Sequence, residues 1–185
     1  MLDELTSGRD PLAQRWPRRV ATVLVLLGVL GYGGDRLLAQ REQTGLLARA
    51  AAAQETAIYA DRRVSAALTY ASPQLSSPAV SPGVRRSLQR LVEDTARGQL
   101  TALRTARRRA AAERVLPWHS RLRAARRAYL TYLDARIAYL SSVARDIGSL
   151  FRLHAELPAL LALATAAFRR AFGPGSDQRI RAALG

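Results

Sequence analysis

RRVATVLVLLGVLGYGGDR, residues 18–36, sets fifteen uncharged residues, Val20 to Gly34, between a pair of arginines and an Asp35-Arg36 step. A basic flank followed by an unbroken apolar run is the layout of a signal anchor or a signal peptide. Fifteen helical residues at about 1.5 Å each reach roughly 22 Å, short of a hydrocarbon core of about 30 Å. Arg18, Arg19 and Arg36 close the difference by reaching out to the headgroups, and Leu37, Leu38 and Ala39 continue the apolar helix beyond Asp35. Trp16 supplies an amphipathic aromatic at the same interface. The expectation is a transmembrane signal anchor over residues 20–39, preceded by a basic cytoplasmic tail, residues 1–19. Two other fates compete with it. One is a buried core helix, and the other is cleavage near Gly31-Tyr32-Gly33, where small residues have a peptidase spacing but no A-x-A follows.

Within fifteen residues on either side, Arg9, Arg15, Arg18 and Arg19 precede the segment while Arg36, Arg41 and Arg49 follow it. The positive-inside rule thus leans toward a cytoplasmic N-terminus, and a long downstream domain translocates largely regardless of its own charge. Residues 36 onward are expected outside the cytoplasm, in a single-pass protein of the cell membrane.

The remainder reads as helix. Alanine and leucine make up over a third of the 185 residues, aromatics only 6%, and there is no cysteine. That balance suits helices and excludes a disulfide scaffold, a zinc ribbon and a thiol enzyme. Residues 36–70 place Leu46, Ala50, Ala53, Ala57, Ala60, Val64 and Ala67 at alternating spacings of four and three, the seam of helices packed side by side. Residues 71–83, with three prolines and four serines, read as a loop. A second helix over 84–115 presents Val84, Leu88, Leu91, Thr95, Ala102, Ala106 and Ala110. A third over 117–154 presents Leu122, Ala125, Tyr129, Leu133, Ile137, Leu140, Val143, Ile147 and Leu150. Leu116 before Pro117 favours a turn over a kinked continuous rod. Residues 157–172 form a shorter fourth helix, too short for a second span, ended by Gly173-Pro174-Gly175; in the C-terminal tail, residues 173–185, the stretch from Ser176 is either frayed or one short helical turn. The fold class expected is all-α: one transmembrane helix, then over 36–172 an elongated antiparallel bundle of three long helices and a short fourth.

Catalytic chemistry is sparse. His119 and His154 are the only histidines, acids are scattered, and without lysine a Walker A loop is impossible despite the Gly28, Gly31, Gly33, Gly34 cluster. Neither histidine lies in a recognisable serine or acid motif. No enzyme activity and no metal or other cofactor is expected.

The informative constellation is basic. The net charge is +15, all 29 basic residues are arginine, and nine of them (Arg104, Arg107, Arg108, Arg109, Arg114, Arg121, Arg123, Arg126 and Arg127) face Glu113 alone across the junction of the second and third helices. If the first helix leaves the membrane and the second returns over a similar length, this junction comes back to the bilayer, with Trp118 at headgroup level. Arginine forks onto phosphate, and anionic lipid attracts each nearby arginine by about 1 kcal/mol. A solvated basic face that only maintains solubility is the plain competitor. For Trp118 and His119 a core anchor and a helix-start cap are the structural alternatives, and Tyr129, Tyr132 and Tyr139 read as core, bracketed by Asp134 and Arg136.

These features favour a membrane-anchored, non-enzymatic helical adaptor that grips anionic lipid headgroups or acidic envelope polymers and holds a protein partner on its helical faces. A ligand sensor is an alternative, because a spanning helix running into a long helical bundle resembles four-helix chemoreceptor input domains in layout, with no shared motif. A cytoplasmic nucleic-acid binder ranks last, since the arginine run lacks interleaved aromatics and any recognised motif.

Overall fold

The computed structural model describes the backbone of residues 15–145 and 156–185, and side chains from Val23 onward with Leu26 and Leu30 excepted. Five helices account for most of the described chain: α1 (Arg15–Ser76), α2 (Pro82–Ala111), α3 (Ser120–Val143), α4 (Leu157–Phe172) and α5 (Asp177–Leu184). No strand occurs among the described residues. The chain divides into two compact units, one up to Arg41 and one from Glu42 to Gly185.

In the first unit α1 is apolar and uncovered. Val23, Leu24, Val25, Leu27 and Val29 are all more than half exposed, and a Cβ added at Gly28, Gly31, Gly33 or Gly34 would meet nothing within 4 Å. It is the one helix among the described residues long and apolar enough to cross a membrane. The side chains of Trp16, Arg18 and Arg19 lie outside the described residues, and Arg36 is exposed.

The second unit is built on the alanine seam. Leu46, Ala50, Ala53, Ala57, Ala60 and Val64 are buried as their spacing implies, and the stripe continues to Ala71. Alanine at these positions lets α3 approach closely enough for its side chains to bond α1 carbonyl groups. The Tyr129 hydroxyl donates to the Ala50 carbonyl at 2.8 Å, and the Arg136 guanidinium donates to the Ala57 carbonyl at 2.9 Å. These pairs advance together along α1 and α3. Pairs between α2 and α3 run in opposite senses, Arg107 meeting Asp134 and Arg97 meeting the Ala144 carbonyl. Phe168 of α4 packs edge-on against Tyr129, with ring centroids 6.1 Å apart. Helix α3 therefore carries contacts to three neighbours, which is why its buried residues, Tyr132, Arg136 and Tyr139 included, form a band wider than one stripe.

Four expectations change. Helix α1 runs through Pro73 to Ser76, so residues 71–83 are a loop only over 77–81. Pro73 sits in the final turn, where it forfeits the backbone bond to the Thr69 carbonyl; buried Ala71 and half-buried Leu75 hold that turn down against the loss. The apolar stripe of α2 is rotated: Leu88, Val92, Ala96, Leu100, Leu103 and Ala110 are buried, whereas Val84 and Leu91 are exposed. The observed row carries the bulkier aliphatics and so removes more apolar surface from water. Of the two alternatives for the tail the helical one holds, and it extends beyond a single turn: α5 buries Ile180 and Leu184, and Gln54 donates to the Leu184 carbonyl at 3.2 Å. Finally, α3 begins at Ser120 rather than 117; Ile147, Leu150 and His154 lie outside the described residues.

Burial pushes the Tyr129 hydroxyl far above the ordinary tyrosine range, with Tyr132 adding to the effect and Arg136 opposing it. The unfolded chain releases this proton near pH 10, while the native chain keeps it. The native state then binds more protons than the unfolded one, so stability falls as pH rises beyond that point. Tyr129→Phe is expected to lose about 1 kcal/mol at neutral pH and to flatten part of the alkaline decline. Urea unfolding at neutral pH and above pH 10 measures both, and an unchanged alkaline slope in the variant would exclude Tyr129 as its source.

Candidate anion-binding junction

Helix α2 ends at Ala111, whose successor Ala112 closes the last turn through its N–H to the Arg108 and Arg109 carbonyls. Residues 112–119 then form a non-helical turn without a glycine. Its organiser is Glu42 of α1. One carboxylate oxygen accepts the Leu116 N–H at 3.0 Å and the other lies 2.6 Å from His119 Nδ1. Leu116 is the residue that Pro117 bars from continuing a helix, so its N–H needs a partner outside helical geometry. A second tie joins Arg49 of α1 to Glu113, and the same guanidinium donates to the Arg109 carbonyl at 3.1 Å. His119 is thus held by a carboxylate and makes no side-chain cap at the start of α3.

Trp118 is 62% exposed, its ring edge-on to His119 with centroids 6.1 Å apart. It is no core anchor. Tyr129, Tyr132 and Tyr139 are buried in the core.

The nine arginines separate into two groups. Arg107 forms a forked pair with Asp134 at 2.9 and 3.0 Å, and that hydrogen bonding raises its already high pKa against the opposing effect of burial. Arg126 donates to the Ala111 carbonyl and so caps the end of α2, while its buried Nε has no partner. These two are committed to structure. Arg104, Arg108, Arg109, Arg114, Arg121, Arg123 and Arg127 are exposed. None has an acidic partner among the described residues; Arg108 reaches only the Thr105 hydroxyl, at 3.3 Å. Arg108, Arg109, Arg114, Arg121 and Arg123 lie within or next to the turn in sequence, whereas Arg104 and Arg127 each lie about two helical turns from it, along α2 and α3.

A recess of about 390 Å³ opens beneath the turn, bordered by Glu42, Arg114, Pro117 and Arg126. Its two carboxylates, Glu42 and Glu113, are already engaged, so the open positive charge lies on the rim above it. The sole acid between Arg104 and Arg127 is neutralised from α1, and the rim's charge is uncompensated locally. Such a surface attracts phosphate or carboxylate by forked, charge-assisted hydrogen bonds.

Sequence reasoning missed Glu42 and Arg49. Their partners lie sixty or more positions away, and nothing in local spacing marks an acid after an apolar run as the clasp of a distant turn. Among the described residues no three His, Asp or Glu side chains converge as metal ligands. No family model, curated protein or solved structure matches the chain.

Proposed function

We propose that this chain is a non-enzymatic, membrane-anchored helical adaptor. In this reading residues 20–39 span the cell membrane with the N-terminus in the cytoplasm. Residues from Glu42 onward form an elongated antiparallel bundle outside it. The arginine-rich turn between α2 and α3 binds anionic lipid headgroups, leaving the bundle's faces for a protein partner.

One observation carries the proposal: Glu42, which clasps the turn, follows in sequence on the uncovered apolar stretch and Asp35–Arg41, while seven exposed arginines within the turn and on the helices flanking it have no acidic partner among the described residues. If residues 20–39 span the bilayer, Glu42 is three residues beyond the span in sequence, and the turn it clasps comes within reach of the headgroup phosphates. Each arginine there gains about 1 kcal/mol from anionic lipid, and the gain decays over about 8 Å at physiological salt. Exposed Trp118 adds a ring suited to the same depth.

The full-length chain carries two tryptophans, so Trp16→Phe leaves Trp118 as the single reporter. In phosphatidylcholine nanodiscs containing phosphatidylserine, lipids brominated near the headgroup are expected to quench Trp118, and high salt to relieve the quenching. Glutamine at Arg114, Arg121, Arg123 and Arg127 should abolish the phosphatidylserine dependence. Equal quenching with and without phosphatidylserine, at every salt concentration, would reject the electrostatic grip.

A further inference from the structure

A second loop is anchored at the same level of α1 as the arginine-rich turn. Glu42 holds residues 116–119, and the next residue, Gln43, donates through Nε2 to the Ala171 carbonyl at 3.4 Å. Consecutive helical residues are about 1.5 Å apart along the axis, so the end of α4 and the α2–α3 turn share one end of the second unit.

The α4–α5 connection is a built turn. Gly173 and Gly175 adopt φ of 76° and 87°, conformations that a side chain disfavours. The buried Ser176 hydroxyl donates to the Gly173 carbonyl at 2.7 Å, and Arg169 pairs with Asp177 at 3.2 Å across the connection. With Asp177 occupied by Arg169, the adjacent Arg170 is exposed and has no acidic partner among the described residues. Pro174 stands exposed at the tip.

We propose that Arg170 and the Gly173–Gly175 turn form a second contact with the anionic headgroup layer, beside the α2–α3 turn, so that the second unit docks on the bilayer through two loops. The inference rests on the lipid-facing reading above and extends it to residues far outside the arginine-rich stretch. Anionic lipid is the occupant because both loops offer, at one level of α1, arginine with no acidic partner among the described residues, while the carboxylates Glu113 and Asp177 are engaged by Arg49 and Arg169. Two separated contacts fix the unit's orientation about α1, which one turn alone leaves free to swivel. A role for Arg170 confined to complementing the C-terminal dipole of α4 would require no lipid.

The cysteine-free chain accepts single spin labels directly. Full-length Pro174→Cys, Ala112→Cys and Val84→Cys would be labelled and placed in phosphatidylcholine nanodiscs with and without phosphatidylserine. Relaxation by a nickel-chelating lipid then reports distance from the headgroups. Labels at 174 and 112 are expected to relax faster when phosphatidylserine is present, with no change at 84. Adding Arg170→Gln should lower the docked fraction at 174, with the docked-to-undocked ratio falling about fivefold for one lost headgroup attraction. A response at 112 without one at 174 would overturn the two-loop contact and leave the single-turn reading standing. No response at either position would overturn both.

Discussion

Arg136→Ala is expected to lower the melting temperature of the detergent-solubilised full-length chain by about 6–12 °C, the shift for about 3 kcal/mol in a protein of this size. The Arg136 side chain is 8% exposed and meets three acceptors: the Asp61 carboxylate, the Ala57 carbonyl and the Tyr132 hydroxyl. Its charged carbon also lies 5.5 Å from the Tyr132 ring centroid. Burial works to lower its pKa, but Tyr132 and Asp61 outweigh that and the net shift is upward, so the cation persists. Truncation removes the stem's packing and leaves the Tyr132 hydroxyl buried without this donor partner. Asp61 is 40% exposed and can turn to water, which holds the loss near the lower end of the range for broken buried pairs. Arg136→Met refills the volume and should cost about half as much. Asp61→Asn should cost about 1 kcal/mol or less, because that partner is screened by solvent. Circular-dichroism melts decide it: a variant with alanine at 136 melting within about one degree of the parent would show that the network contributes nothing.

That network marks where sequence reasoning stops. The α1 seam was legible because a four-and-three alternation of small residues has few meanings other than close helix packing, and Leu46 to Val64 are buried accordingly. The α2 stripe was misread by a small rotation. Leu88 belongs to both candidate rows, and in an Ala- and Leu-rich helix several faces look apolar until a neighbour selects one. Residues 173–185 looked like a tail because Ile180 and Leu184 are a single apolar pair, whose burial depends on a surface that α1 and α4 provide. Pro73 read as a breaker, but only three helical residues follow it, and the packing of Ala71 and Leu75 on the core offsets its one missing backbone hydrogen bond.

The candidate site was legible as charge and illegible as arrangement. Counting alone locates nine arginines against one acid, and Pro117 marks the bend. Which arginines are spoken for depends on residues distant in sequence: Asp134 takes Arg107, the end of α2 takes Arg126, and Arg49 takes Glu113. Arg169-Arg170 attracted notice only as a flank to α4, since nothing in one dimension shows that Ala171 and Leu116 are held by consecutive residues of α1.

Leu27→Arg is expected to release the chain from the membrane pellet into the supernatant on alkaline carbonate extraction, while Leu27→Phe stays in the pellet. Leu27 is 60% exposed in the middle of the fifteen uncharged residues. An arginine near the centre of a spanning helix costs about 2.5–3.5 kcal/mol and forfeits leucine's own favourable transfer. A longer span would absorb that cost, but one of about 22 Å already leans on its flanking arginines and on Leu37–Ala39. The three fates of the segment give different results. A spanning anchor leaves the parent chain intact in the pellet and only the arginine variant extracted. A buried core helix leaves the parent chain extracted and makes the variant melt lower. Signal-peptide cleavage yields a shortened, extracted product from the parent. Either of the last two outcomes removes the bilayer from the vicinity of Glu42. The clasped turn and its unpaired arginines would then require an anionic partner other than lipid.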